Sequence, residues 1–270
     1  MRICLFTNVR DEKHIREWII HHLLIGFTHI VIFDHKSKVP VKEQIKNMKI
    51  KNVKVLNASK INANVKIRLM NIAKAIAVQN MIDWMIYLDG DEFVILNKSY
   101  NNIIQLLNNY KHAPSLSVNW LMFGTNFKKK DPDGLILENY TRCDKILNKH
   151  VKCFVQPRAV SRAINPHFYV LNPNNKYYNL QGKSIDKDFH FNECNLTHDH
   201  VPVYVAHYVN QSEETYTKRK SSPRDDNGEL REMCKPTKLH SEFNSTENNY
   251  PRDTYCEKIK RILLGFNYRF

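Results

Sequence analysis

The sequence predicts an α/β domain with a mostly parallel central sheet flanked by helices. Three observations point to it. Apolar runs rich in β-branched residues alternate with stretches of helical period along residues 2–89. Two of these runs end in aspartate, Asp34 and Asp89, as suits the carboxyl ends of parallel strands, where such sheets bind ligands. The chain has 270 residues, 42% of them hydrophobic, enough for one sizeable core.

"RICLFTNV" (2–9) reads as a buried strand, and "DEKHIREWIIHHLLIG" (11–26) as a helix. In the helix, Ile15, Trp18, Ile19, His22 and Leu23 recur at helical spacing, and Gly26 ends it. "HIVIFDHKS" (29–37) is a second strand, ending in Asp34, and "VKVL" (53–56) a weaker third. Residues 64–83 suit a helix before the strand that ends at Asp89. Residues 99–110 read as helix and 115–124 as strand; 128–134 is a charged turn, and 135–142 starts a helix. "KCFVQPRAV" (152–160) and "VPVYVAHYV" (201–209) read as strands, and 212–220 as a helix capped by Ser212. Residues 221–253, broken by Pro223, Pro236 and Pro251, read as a polar loop or flap before a terminal amphipathic helix. No internal repeat or long linker divides the chain, so a single domain is expected over 1–270.

Composition narrows the function. The net charge of +14 suits nucleic acid, an acidic membrane surface or an anionic small substrate, and equally a lysine-rich solvated surface. No RNP, helix-turn-helix or zinc-finger pattern supports nucleic acid. With 7 glycines and neither GxGxxG nor GxxxxGK[ST], a dinucleotide fold or P-loop is not expected. No apolar stretch approaches the roughly 20 residues needed to span a bilayer. The N-terminal segment meets charge too early for a signal peptide, so a cytoplasmic location with reduced thiols is expected.

"WMIYLDGDEF" (84–93) packs Asp89, Asp91 and Glu92 into one short stretch, where like charges repel. Residues two apart on a strand face the same way. Asp89 and Asp91 therefore present oxygen donors on one face, with Gly90 between them allowing close approach of a ligand. That suits Mg²⁺ or Mn²⁺ bound together with substrate phosphates. A solvated acidic turn is the plain alternative.

"NVRDEKHIREWIIHHLLIGFTHIVIFDHKS", "DWMIYLDGDEF", "NWLMFG" and "VAHYVNQSEETYTKRK" together resemble glycosyltransferase family 92 and related family-2-like enzymes of the GT-A fold. The resemblance touches most of residues 3–220 and is weak across 165–200. It implies a Rossmann-like sheet with a smaller acceptor-side part, in one domain read as a nucleotide-sugar half (1–96) and an acceptor half with a polar C-terminal flap (97–270). It also implies a nucleotide-sugar donor, a UDP-sugar first, a glycan or other hydroxyl acceptor, and a divalent cation, usually Mn²⁺. Asp89 and Asp91 take the place of the family's DxD pair: Asp91 binds the metal, and Asp89 touches the ribose or a metal-bound water. His207 in "AHY" matches a further metal ligand, and imidazole suits Mn²⁺; a core histidine is the alternative. Thr7, Asn8 and Arg10 stand where such folds hold base and ribose, and Asp34 where a carboxylate accepts from uracil or ribose. Arg68, Lys218 and Arg219 are candidates for the diphosphate. The compact, Lys- and Asn-rich form looks closer to bacterial or large-virus relatives than to Golgi members.

Family 92 members look inverting, which implies one general base. Glu138, after the "NWLMFG" strand, is the first candidate and Asp133 the second; Glu138 also suits a plain helix-start charge. Trp120 fits an acceptor-sugar platform or the core. His190, Cys194, His198 and His200 match no common zinc spacing and read as a loop lining the acceptor side, with His167 beside it. Two other functions compete: a metal-dependent nucleotidyl- or phosphoryl-transfer enzyme, and a basic nucleic-acid binder without catalysis.

Overall fold

The computed structural model describes residues 1–185, 195–222 and 229–268. Its helices are α1 (Ile15–Leu24), α2 (Val41–Gln44), α3 (Val65–Gln79), α4 (Ile103–Asn108), α5 (Ile136–Asn139), α6 (Glu213–Lys220), α7 (Pro236–Ser241) and α8 (Tyr250–Gly265). The strands are β1 (Ile3–Val9), β2 (His29–Asp34), β3 (Val53–Asn57), β4 (Trp84–Tyr87), β5 (Glu92–Leu96), β6 (Ser115–Met122), β7 (Arg142–Cys143), β8 (Val151–Val155), β9 (Val160–Asn165), β10 (Phe168–Leu171), β11 (Tyr177–Tyr178), β12 (Ser184–Ile185), β13 (Val203–His207) and β14 (Thr246–Glu247).

Eight of the strands form one sheet in the order β3-β2-β1-β4-β8-β6-β13-β5. β3, β2, β1 and β4 are parallel. β8 runs against both β4 and β6. β13 is parallel to β6 and antiparallel to β5. All strands but β8 and β5 therefore point one way, the mostly parallel α/β sheet expected of a GT-A fold. Alternation along β1 feeds both faces: Ile3 and Leu5 pack with α1 and α8, and Cys4 and Phe6 pack with α3.

β5 was not foreseen. It continues the apolar run after the acidic turn but pairs at the far edge of the sheet. A flat sheet would separate β4 from β5 by about 19 Å, four strand spacings of about 4.8 Å. Residues 87–92 span at most about 18 Å when extended, and they turn, with the Glu92 N–H donating to the Asp89 carbonyl at 3.1 Å. The sheet must curl to bring its two parts together at this turn. β5 then pairs with β13 so that His207 lies opposite Glu92.

Other boundaries moved for local reasons. α1 starts at Ile15, because Asp11 sits at φ +54° and breaks the helix before it. It ends as expected, with Gly26 at φ +101°. Ser212 caps α6, accepting from the Thr215 N–H at 3.0 Å. The expected polar loop over 221–253 contains α7 and the start of α8. Pro251 falls in the first turn of α8, where a missing N–H costs nothing. Among the described residues no helix is long and apolar enough to cross a membrane.

Glu17 ties the two halves together. It is buried on α1, and its carboxylate accepts from the N–H groups of Ile136 (2.7 Å) and Leu137 (3.0 Å) that open α5. Truncating it strands both donors in the core. Glu17→Ala is expected to lower stability by about 2–4 kcal/mol at unchanged denaturant slope in urea unfolding, whereas a loss under about 0.5 kcal/mol would contradict this role.

Candidate active site

The turn between β4 and β5 holds its acids against a set of internal cations. Lys152, the second residue of β8, is almost wholly buried. Its ammonium lies 3.3 Å from Asp89 Oδ2, 3.3 Å from Glu92 Oε2 and 3.4 Å from the Pro166 carbonyl. Lys66, in the first turn of α3, pairs with the other Asp89 oxygen. Glu92 is fully buried and also accepts from the Asp89 N–H at 2.9 Å. Asp91 faces the other way: Oδ1 is 3.6 Å from His207 Nε2, and Oδ2 is 3.4 Å from Arg219 on α6. The Tyr208 N–H donates to the Asp91 carbonyl at 2.9 Å, which fixes His207 beside the turn.

The charges are mutually set. Burial works against ionising Asp89, but Lys152 and then Lys66 hold its carboxyl far below the usual range. Burial likewise opposes the charge on Asp91, and His207 more than offsets it. His207 is itself raised, its own burial outweighed by Asp91. Lys152 is raised despite burial by Asp89 and Glu92. Burial pushes Glu92 up although Lys152 pulls it down.

Trp120 packs on this cluster, its ring 4.4 Å from His207, 5.0 Å from His167 and 5.4 Å from His150. Burial and Lys152 hold His167 down to about 3, so it is neutral. From Arg219 opens a cleft of about 580 Å³ lined by Met122, Tyr216, Glu232, Lys238 and Glu242 among others.

Gly90 meets a residue of the protein. A Cβ there would lie 2.9 Å from Glu12 Oε2, so the glycine makes room for Glu12. Burial raises the Glu12 carboxyl, and Asp91 adds to that.

The remaining expected residues divide. Thr7 is buried, with its hydroxyl 3.4 Å from the Asn8 carbonyl. Asn8 accepts from the Tyr87 hydroxyl at 3.1 Å, and Arg10 lies exposed past β1. Asp34 spends both oxygens on its own loop, accepting from Ser37 N–H (3.3 Å) and Val41 N–H (2.8 Å). Arg68 is exposed on α3, and it is Lys66 that reaches the acids. Lys218 points outward to Glu214 at 2.8 Å, while its neighbour Arg219 turns in. Glu138 pairs with Lys260 of α8, and Asp133 is exposed with its carbonyl taken by Asn139 at 2.7 Å. No described bond links either carboxylate to the acidic turn. Glu138 is thus engaged with α8, and Asp133 lies at the surface. His190 and Cys194 lie outside the described residues. His200 bonds Thr197 at 2.7 Å and His198 sits 3.2 Å from Asp199, so neither faces the other as a ligand.

Among the described residues no three His, Cys, Asp or Glu side chains form a ready metal cage. Both oxygens of Asp89 face lysines, so a metal contact there would require one of them to give way. Asp91 and His207 do fit one ion. Adjacent donors each about 2.1 Å from an octahedral centre lie about 3 Å apart; these lie 3.6 Å apart, so closing by about half an ångström would seat both on one ion. Phosphates and water would complete the shell.

Sequence reasoning missed Lys66 and Lys152. The signal for Lys152 was present: a lysine inside the apolar run "VKCFV" is rarely buried without a partner.

A family model described as Glycosyltransferase family 92 matches residues 3–236. A glycosyltransferase family 92 protein of Oryza sativa subsp. japonica is 27% identical over 232 residues, 82% of this chain and 39% of that protein. One of Ricinus communis is 25% identical over 184 residues, 66% of this chain and 33% of that protein. The chain thus spans well under half the length of these relatives, both of them plant proteins. Among solved structures, S. aureus TarS 1-349 is similar at 16% identity and TM-score 0.36, over 59% of this chain and 48% of that one. HddC from Yersinia pseudotuberculosis, complexed with GMP-PN, is similar at 9% identity and TM-score 0.38, over 69% and 93%.

Removing the buried cation leaves two acids facing each other. Lys152→Met is expected to cost about 3–5 kcal/mol in denaturant unfolding, with part recovered by adding Glu92→Gln. An effect below about 1 kcal/mol would show that Lys152 does not hold the turn.

Proposed function

The chain belongs to glycosyltransferase family 92, and on that premise we propose that it moves a sugar from a nucleotide-sugar to a hydroxyl of a glycan or other acceptor. A UDP-sugar is the expected donor, with inversion at the transferred carbon. The observation that carries this reading is the pairing of Asp91 with His207 beside two partly exposed cations, Lys66 and Arg219. All four lie near the carboxyl ends of parallel strands, where α/β sheets bind nucleotides.

Asp91 and His207 would hold the divalent ion, Mn²⁺ before Mg²⁺ because one donor is imidazole. When bound, that ion supplies Lewis-acid neutralisation of the leaving diphosphate. The chain's own residues do the rest. Lys66 and Arg219 bind phosphate oxygens by charge-assisted hydrogen bonds. Lys152 keeps Asp89 and Glu92 fixed, so the turn does not reorganise as charge develops. Trp120 and the neutral His167 wall the site beside His207. The acceptor enters by the cleft beside Arg219, and acceptor deprotonation is assigned to that side, where Glu232 and Glu242 supply carboxylates.

The test measures product release from a panel of UDP-sugars with and without Mn²⁺ and acceptor. The reading predicts Mn²⁺-dependent UDP release, lowered about 10²-fold or more by Asp91→Asn with an unchanged melting temperature, and little altered by Glu138→Gln. Pyrophosphate release from nucleoside triphosphates would instead favour nucleotidyl transfer. Full activity of Asp91→Asn would overturn the metal-holding role.

A further inference from the structure

A second concentration of charge lies outside the candidate active site. Residues 46–54, "KNMKIKNVK", contain four lysines and no acid. Lys46, Lys49, Lys51 and Lys54 are all exposed. The nearest opposing charge is Glu43, 3.4 Å from Lys46. Among these lysines opens a recess of about 340 Å³ lined by Ile19, Ile45, Met48, Ile50 and Val53 and rimmed by Lys46, Lys49 and Lys51. Ile19 and Met48 form a buried floor, and Ile45, Ile50 and Val53 are half-buried walls. Val53 opens β3, whereas Asp89 follows the end of β4, which runs the same way. The recess therefore lies at the opposite end of the sheet from the acidic turn, on its edge strand.

Cations around an apolar recess match an anionic amphiphile: an acyl chain or glycerol backbone in the recess and acidic headgroups on the ammonium groups. A polynucleotide would satisfy the lysines and leave the recess unused, since no aromatic ring lines it for base stacking. A soluble anionic substrate would have no need of the apolar floor. We propose that this face docks the protein on the surface of an anionic lipid bilayer. Docking there leaves the acidic turn, at the other end of the sheet, open to substrates. The proposal does not depend on the reaction assigned to that turn.

The test is co-sedimentation of the full chain with phosphatidylcholine vesicles, either plain or with roughly a third phosphatidylserine. Binding is expected only to the anionic vesicles, and it should weaken as salt rises. Each lysine near the surface strengthens adhesion roughly fivefold, so Lys46→Gln, Lys49→Gln and Lys51→Gln together should weaken it roughly a hundredfold. These side chains are exposed, and the triple variant should melt like the parent. Ile50→Asn leaves the charge unchanged and should weaken binding severalfold. Equal binding to both vesicle types, or binding to neither, would overturn the proposal. So would binding of a single-stranded oligonucleotide that the triple lysine variant abolishes and Ile50→Asn leaves intact, which would make the face a nucleic-acid site.

Discussion

Three carboxylates within four residues cannot be packed into a folded core unless positive charge meets them there. Asp89, Asp91 and Glu92 meet it from three directions: Lys66 on α3, Lys152 on β8, and Arg219 with His207 beyond β6. Burying charges is costly, and the attraction recovers the cost only when partners sit at hydrogen-bond range. Stability alone would be served as well by an apolar turn. The charges are compensated and still leave Asp91, Lys66 and Arg219 partly exposed, which suits the ligand binding proposed for the site.

Topology makes this meeting possible. The strands that carry Lys152 and His207 are far apart in sequence from the turn: β8 reaches it by pairing directly with β4, and the curl of the sheet brings β13 to it. β5 is the hinge of this arrangement, since its pairing with β13 sets His207 opposite Glu92. Glu17 acts in the same sense at longer range, with a carboxylate on α1 capping α5 from 119 residues away. The two halves expected from the sequence are thereby welded through buried polar contacts as well as through the core.

Much of the first half was legible in the sequence because its signals are local. Apolar runs of strand length, helical periodicity and Gly26 are all read from neighbouring residues. The acidic turn stood out for the same reason, as a short motif, whereas His207 was singled out only through the family resemblance. What stayed hidden depended on tertiary partners. β5 was hidden because nothing in residues 92–96 tells that they pair at the far edge of the sheet. Glu138 opens a short helix as foreseen, but its pairing with Lys260, 122 residues on, was not legible. Nor was the placement of Glu12 against Gly90. Asp34 ended a strand as foreseen but turned its oxygens to its own loop.

Under the proposed function one divalent ion sits between Asp91 and His207, with Asp89 left to the lysines. A crystal soaked with Mn²⁺ and UDP, measured at the manganese absorption edge, tests it directly. One anomalous peak is expected within coordination distance of Asp91 and His207, with the diphosphate on Lys66 or Arg219 and Asp89 still on Lys152. Bound nucleotide with no such peak, or a peak on Asp89 with Lys152 displaced, would contradict it.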